Sequence, residues 1–555
     1  MTIQDKKLEL EWFGKNRSLY YDIDTGNYEW INKKDPRVSE PRILIEKNAF
    51  GEISESNLNI LIKGDNLLGL KALLQDYENK VKLVYIDPPF NTGNAFEHYD
   101  DGLEHSIWLT MMRDRLMLLK KFLTSEGLIF VHIDGHELAR LKVLMDEIFG
   151  IDNYMNTITL TTNDPSGFKA TADKLFTTSN FILVYARTNK GKHLKKLFIE
   201  KEYDKQYSKY LYNRNEHYSK WHWENLSDVV AKKEGFNSVK DAIKTLGKEQ
   251  FDAKIAEFAI VNSSNVFRLA VIQGGARAKR IDTINASKAQ KGKIFVHPNE
   301  DLQNFFILNG DQILFYENRL VNIDGIKLPG QLITDVWTDI SCNGISNEGG
   351  ITFQNAKKPE SLIKRVLEMS TDEGDIVLDS FAGSGTTGAV AHKLNRKWIM
   401  IELGDHAKTH IIPRMKNVIS GSDQTGVSKE VNWQGGGGFK YYELGDSLFV
   451  GDNDLRLTVL NPRVYNGALI RAVLKVEGFK LLHPDNALHG ISGRTIAHVT
   501  EQYLNQQYLD AVLREVRDSA DYLIIYAKTI SSKISLPDNV EVRKIPDALL
   551  NKFRV

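Results

Sequence analysis

The chain has 555 residues, 42% hydrophobic and 26% charged, the balance of an ordinary globular protein of about two to four domains. No apolar run reaches the length of a bilayer span, and the opening MTIQDKKLEL is too polar for a secretory leader, so a cytoplasmic protein without a membrane anchor is expected. The single cysteine, Cys342, excludes internal disulfides and any cysteine-based metal site, and 72 Lys+Arg balance 72 Asp+Glu, so a footprint for nucleic acid has to come from local clustering.

Residues 1–57 are polar and mixed, with scattered aromatics such as Trp12, Tyr20, Tyr21 and Trp30, and read as an N-terminal arm. From residue 58 short β-type runs alternate with helical stretches. Leu58–Ile62 reads as a strand, and Lys63-Gly64-Asp65-Asn66 as a turn into a helix through Leu67, Leu70 and Leu73. Val81–Ile86 is an apolar, β-branched run that suits a strand buried inside a parallel sheet. An amphipathic helix is expected over Ile107–Phe122 and a strand over Leu128–Ile133, with Asp134 and Glu137 spaced as a capping box for the next helix. This alternation predicts a doubly wound α/β sheet.

After Asn153 the alternation becomes irregular, although Phe181–Tyr185 reads as a strand. Between Arg187 and Lys220 ten basic residues face four acidic ones, interleaved with Tyr203, Tyr207, Tyr210, Tyr212, Tyr218, Trp221 and Trp223. That pattern fits either an electrostatic footprint for phosphates or a solvated surface whose aromatics face a core. The α/β pattern resumes near Lys358 and runs to Val418. Gly435–Gly438 are four consecutive glycines, a flexible joint or a tight loop, and the tail beyond them is a smaller mixed α/β segment with a strand at Tyr522–Tyr526. The expected division is an arm (1–57), two halves of one α/β domain (58–155 and 336–434), an insertion (156–335) and a C-terminal domain (435–555).

Two motifs carry chemistry. Asp87-Pro88-Pro89-Phe90 closes a predicted buried strand, where a doubly wound fold binds ligands. An exocyclic amine is a poor nucleophile because its lone pair is delocalised into the ring. A carboxylate accepting one N–H and a carbonyl accepting the other favour a pyramidal nitrogen, and Asp87 with the Pro88 carbonyl can supply that pair. Two prolines fix the backbone, and Phe90 offers a face on which an extruded base could stack. A strand-ending turn capped by aspartate would use the same residues.

The second motif, Asp379-Ser380-Phe381-Ala382-Gly383-Ser384-Gly385-Thr386-Thr387, follows the strand Ile376–Leu378 and opens a helix. Gly383 and Gly385 let the backbone pass close to a ligand, and the helix start favours a carboxylate. Glu402 ends the next strand, 23 residues beyond Asp379, near the spacing at which a nucleotide fold places its ribose-binding acid. No G-K-[ST] follows the glycines, which disfavours a phosphate cradle, and a dinucleotide site stays open.

Here the chain resembles a family. Asp87–Phe90 looks like the catalytic motif of amino-group DNA methyltransferases, and Phe381–Gly385 like their S-adenosylmethionine motif. Both sit in longer matching strings: YIDPPFNTGN at 85–94, HSIWLTMMRDRL at 105–116 and KPESLIKRVL at 358–367. The catalytic motif precedes the cofactor motif, the order of the β class, and the wording is most similar to the modification (Mod) subunits of type III restriction–modification systems. The resemblance implies a Rossmann-like S-adenosylmethionine-dependent methyltransferase domain with an inserted target-recognition domain and a small mixed α/β C-terminal domain. It implies that Asp87, Pro88, Pro89 and Phe90 hold the target amine, and that Asp379, Phe381, Gly383, Gly385, Thr386 and Glu402 line S-adenosylmethionine. It further implies that Asp65 and Asn66 lie near the adenine of that cofactor and Lys358 near its methionine end.

Aspartate at position 87, where cytosine-N4 enzymes of this class carry serine, implies adenine N6 as the acceptor. Double-stranded DNA, a separate helicase–nuclease subunit and a second copy of the chain are the implied partners. An RNA or cytosine-N4 methyltransferase, an orphan or other phage-defence DNA methyltransferase, and a non-catalytic DNA-recognition subunit are the rival readings. No metal is expected: His217 and His222 beside Trp221 and Trp223 lack a ligand framework. His132 with Asp134 reads as strand-end and capping chemistry, and His105 with Trp108 as a helix packed beside the site.

Overall fold

The computed structural model describes residues 8–545 apart from 23–26, 34, 36–37, 39–41, 55–57, 92–94, 97–98, 101–103, 163–174, 176, 298–304, 324, 354–356, 446–448, 453–456, 461–467, 483–486 and 517–518. Among these residues ten strands form the largest sheet. They are β1 (Leu44–Gly51), β2 (Ile60–Lys63), β3 (Val81–Ile86), β4 (Leu123–Ile133), β5 (Tyr154–Thr161), β6 (Ser179–Ala186), β7 (Val336–Trp337), β8 (Ile376–Asp379), β9 (Lys397–Glu402) and β10 (Gly438–Leu444). Their order across the sheet is β7-β5-β6-β4-β3-β8-β9-β2-β10-β1, and the run from β4 to β10 is parallel. Parallel strands covered on both faces read as unbroken apolar runs, and Leu83, Val84, Tyr85 and Ile86 are accordingly buried.

The helices that position the site are α1 (Asn66–Tyr77), α2 (His105–Phe122), α3 (Leu138–Phe149), α4 (Glu360–Ser370), α5 (Thr386–Lys393) and α6 (Ile412–Ile419). Asp65 caps α1 by accepting from the Leu68 N–H at 3.1 Å. Along α2 the residues Trp108, Met112, Leu116 and Leu119 recur at helical spacing and are fully buried. From β3 the chain passes through α2 to β4 on one side, while from β8 it passes through α5 to β9 on the other. The adjacent strands β3 and β8, paired Val377 to Leu83 and Leu378 to Val84, therefore flank the point where the winding reverses, the place where open α/β sheets bind ligands.

Several sequence-based boundaries move. Residues 156–195, expected inside the insertion, contribute to β5 and β6, which extend the main sheet: β6 pairs antiparallel with β4, and β5 pairs antiparallel with β6. A hairpin needs no helical crossover, so the strand–helix rhythm stops while the sheet continues. The compact insertion is 196–334; the rest of the chain, 1–195 with 335–555, forms the other unit. The four glycines are a tight loop and not a joint: Gly435, Gly436 and Gly437 have positive φ, and a Cβ at Gly438 would lie 2.4 Å from the Phe50 carbonyl oxygen. Gly438 then opens β10, so the tail begins past Leu444. The described part of the N-terminal arm is tied down as well, because β1 forms the sheet edge and Arg113 of α2 donates to the Lys15 and Arg17 carbonyls.

The 196–334 unit is a six-stranded antiparallel sheet beside a three-stranded one. On one face Tyr207, Leu226, Val230, Phe251, Val266 and Tyr316 form a core with three helices, and on the other Leu211, Phe267, Ile294, Ile313 and Phe315 pack together. The tail carries a five-stranded sheet whose last three strands, Thr495–Leu504, Tyr522–Ile530 and Val540–Lys544, are parallel. Among the described residues no helix is long and apolar enough to cross a membrane.

Candidate active site

At the carboxyl end of β3 the chain turns through Asp87-Pro88-Pro89-Phe90. The turn is held from α2: the Trp108 indole Nε1 donates to the Pro89 carbonyl at 2.8 Å, and Trp108 is fully buried. The next residue, Asn91, adopts φ of 60°, and its amide donates to the Glu137 carboxylate at 2.7 Å. Glu137 is fully buried and also bonds the His105 ring and Arg140. It therefore ties the loop to both α2 and α3, and the expected capping box does not form. Glu137 makes no capping bond to α3, and Asp134 instead binds the backbone N–H and ring of His136.

The two oxygens of Asp87 have different fates. Oδ2 pairs with the Lys358 ammonium at 2.5 Å, while Oδ1 is buried with no hydrogen-bond partner. A buried acceptor left unmade costs about 1–3 kcal/mol, so this oxygen has room in its bonding for a donor that the protein does not supply. Burial raises the Asp87 pKa and the Lys358 charge opposes that rise. The Lys358 ammonium also lies 5.0 Å from the centre of the Phe90 ring, whose other neighbour is the His132 ring at 5.6 Å. His132 is buried between Tyr85 Oη (3.1 Å) and the Asn180 amide (3.3 Å), and burial holds its pKa well below the usual value, so it is neutral.

On the adjacent strand, β8 ends at Asp379. Its carboxylate accepts from the Phe381 N–H at 2.9 Å and the Thr387 hydroxyl at 2.6 Å, folding the glycine-rich loop around it. Burial, reinforced by the charges of Asp87 and Glu402, raises its pKa to about 7. Gly383 and Gly385 sit at φ of 52° and 76°, a region that penalises any Cβ. Glu402, at the end of β9, accepts from the Gly383 N–H at 2.7 Å and the Gly404 N–H at 3.0 Å, and pairs with His406 at 2.9 Å. Three carboxylates thus gather at the carboxyl ends of β3, β8 and β9 with Lys358 among them, a charge balance that favours a cationic ligand.

Asp65 and Asn66 approach the same loop from the start of α1. Asn66 donates to the Ser380 carbonyl at 2.7 Å, and Arg115 of α2 binds both Asp65 (2.9 Å) and Asn66. Thr386 turns the other way: its hydroxyl meets Ser384 Oγ and the Arg414 guanidinium behind the loop. Lys358 lies on Asp87, its ammonium 2.5 Å from Oδ2.

Several site residues have a role that no motif gives. Asn91 and Arg115 lie inside the recognised strings without a role assigned to them, and Glu137, expected to cap a helix, instead binds Asn91 and His105. Behind the loop, Glu360, Lys393, Arg414 and Asp423 form a fully buried ion network that Thr386 and the Ser384 carbonyl join. No local pattern unites residues so far apart in sequence.

The aromatics of 203–223 divide between the two faces of the insertion sheet. Tyr203 and Tyr207 pack on Tyr316, and Trp221 packs on Phe306 and Phe315. Tyr212, partly exposed, stacks on His222 at 5.0 Å. Lys195, Lys205, Arg214 and Lys220 are paired with carboxylates. The core reading of the rings therefore accounts for most of them. Among the described residues no group of three or more His, Cys, Asp or Glu is arranged to hold a metal ion.

A family profile described as DNA methylase matches residues 81–269 and 285–413, which include both motifs. The chain is 36% identical over 432 residues to a Haemophilus influenzae protein described as a probable type III restriction-modification enzyme HindVI Mod subunit, covering 72% of this chain and 56% of that protein. It is 26% identical to the type III StyLTI Mod subunit of Salmonella typhimurium (68% and 56%) and 27% identical to the type III EcoP15I Mod subunit of Escherichia coli (71% and 66%). The chain thus spans little more than half the length of the first two relatives.

Proposed function

The chain belongs to the DNA methylase family, and from that premise we propose that it transfers a methyl group from S-adenosylmethionine to the N6 nitrogen of adenine in double-stranded DNA. The observation that carries this reading is the buried, unpartnered Oδ1 of Asp87 at the end of β3, beside the glycine-rich loop of β8. An extruded adenine stacks on Phe90, giving one amine hydrogen to Asp87 Oδ1 and the other to the Pro88 carbonyl, so that the nitrogen lone pair is directed. S-adenosylmethionine supplies the electrophilic methyl group on its sulfonium.

Asp379, Phe381, Gly383, Gly385 and Glu402 hold that cation-bearing cofactor, and their fit rests on the carboxylate excess and the glycine backbone described above. Asp65 and Asn66 order the loop from the side of α1, and Thr386 does so from behind. Positioning supplies most of the acceleration, as it does wherever two reactants are held in near-attack geometry.

The names of the relatives support a modification subunit of a type III restriction–modification enzyme. On this reading unit 196–334 recognises the DNA target, and the tail past Leu444 meets a helicase–nuclease subunit or a second copy of the chain. The deciding experiment is methyl transfer to a mixed-sequence duplex, wild type against Asp87→Ala, with the product nucleoside identified. N6-methyladenine with wild type alone is the expected result. N4-methylcytosine would overturn the adenine assignment, and methylation by the variant would overturn the role of Asp87.

A further inference from the structure

Lys358 is presented to the site by a segment fixed on both sides. The preceding Lys357 is buried and donates to the Ser346 carbonyl at 3.1 Å and the Ile351 carbonyl at 2.9 Å. Two residues on, Glu360 is locked by Lys393, Arg414 and the Val427 N–H. Pro359, between them, restricts the backbone further. From this mount the ammonium reaches Asp87 Oδ2 at 2.5 Å, over the Phe90 ring. Only 18% of the Lys358 side chain is exposed, so the pair is largely shielded from water.

We infer that Lys358 is a positioning residue for the transfer: its ammonium takes Asp87 Oδ2, leaves Oδ1 to the target amine, and keeps the carboxyl ionised. The inference deepens the function proposed above and rests on it. The other titratable groups near the pair do not replace the lysine. Asp379 on β8 adds negative charge, with Glu402 of β9 beyond it. Tyr85 on β3 has its pKa raised by burial and by the charge of Asp87, His132 on β4 is neutral, and the Cys342 thiol is pushed up by burial. The nitrogen becomes positive as it attacks, and an ionised acceptor stabilises that charge where a protonated one would not. Transfer therefore needs Asp87 above its pKa and is lost as the pH falls through it, and removing the lysine moves that limb upward.

The experiment uses the full chain with S-adenosylmethionine and duplex DNA, comparing wild type, Lys358→Gln and Lys358→Arg. The glutamine variant is expected to shift the acid limb of kcat upward by about 1–3 pH units, the range over which a nearby cation depresses a carboxyl. Its calorimetric affinity for S-adenosylmethionine should stay within about twofold, and the arginine variant should restore the limb. An unmoved limb in the glutamine variant would overturn the inference. So would a weakened cofactor affinity with unchanged kcat, which would return Lys358 to the methionine end.

The Asp87 carboxyl is also titrated directly by 13C NMR of aspartate-labelled protein, assigned with Asp87→Asn. That readout needs no turnover. If wild type transfers no methyl group the proposed function fails, while the carboxyl titration still decides whether Lys358 governs Asp87.

Discussion

At the scale of single residues the site turns on carboxyl groups kept out of water. Asp379 is nearly fully buried and burial raises its pKa to about 7, so its protonated form is populated near neutrality. A cation bound nearby favours the ionised form. Binding of S-adenosylmethionine is therefore expected to release a fraction of a proton at pH 7 and to tighten as the pH rises through about 7. Calorimetry in two buffers of different ionisation enthalpy measures the release, and Asp379→Asn should abolish it. For folding the sign is opposite. Because the folded pKa lies above the unfolded one, the folded chain binds the extra proton, and the stability from this group is full below about pH 4 and lost as the pH rises toward 7. A pH-independent affinity in wild type would show that Asp379 stays outside the field of the ligand.

At the scale of elements, the glycine loop is set from behind as much as from within. Arg414 of α6 reaches the Ser384 carbonyl at 3.2 Å and Thr386 Oγ1 at 2.8 Å, and pairs with Glu360 of α4, the Arg414 and Glu360 side chains having no solvent exposure. Removing one partner of a buried pair strands the other, at a cost of about 3–5 kcal/mol. Glu360→Gln, which leaves buried Arg414 without its carboxylate while Lys393 keeps Asp423, should therefore lower the denaturation midpoint sharply and weaken cofactor binding. Chemical denaturation with and without S-adenosylmethionine tests this, and an unchanged midpoint would show the network to be dispensable. Glu137 plays the matching part for the other loop by joining Asn91 to α2 and α3. Glu137→Ala should lower kcat at least about tenfold while sparing cofactor affinity, since a loosened reactive loop loses near-attack geometry.

These ties also mark where reading the sequence stops. Strands β3 and β8 were legible because buried parallel strands are apolar along their whole length, and each motif follows its strand directly. Glu360, Arg414 and Glu137 act through partners tens of residues away, and β5, β6 and β10 join the sheet by pairings that no local period records.

At the scale of the whole molecule, the chain interrupts one sheet with a self-contained insertion. It leaves at Lys195, whose N–H bonds the Met369 carbonyl at 2.9 Å, and returns at Asp335, whose carbonyl accepts from the Thr159 N–H at 2.8 Å. Both ends are thus anchored in the larger unit by its own backbone. Among the described residues, 196–334 hold three apolar clusters of their own, the two larger ones on opposite faces of their sheet. A segment with its own core is expected to fold alone, so 196–334 expressed separately should unfold in one cooperative transition. Conversely, replacing 196–334 by a short Gly/Ser link should leave the β3–β8 junction intact and S-adenosylmethionine affinity close to that of the full chain. If the insertion reads the target, the shortened chain loses site-selective binding to duplex DNA and keeps at most a weak, salt-sensitive association. Calorimetry with the cofactor and fluorescence anisotropy with duplex DNA at two salt concentrations separate these effects. Selective methylation by the shortened chain would move recognition out of 196–334, and loss of cofactor binding would mean that the larger unit needs the insertion to fold.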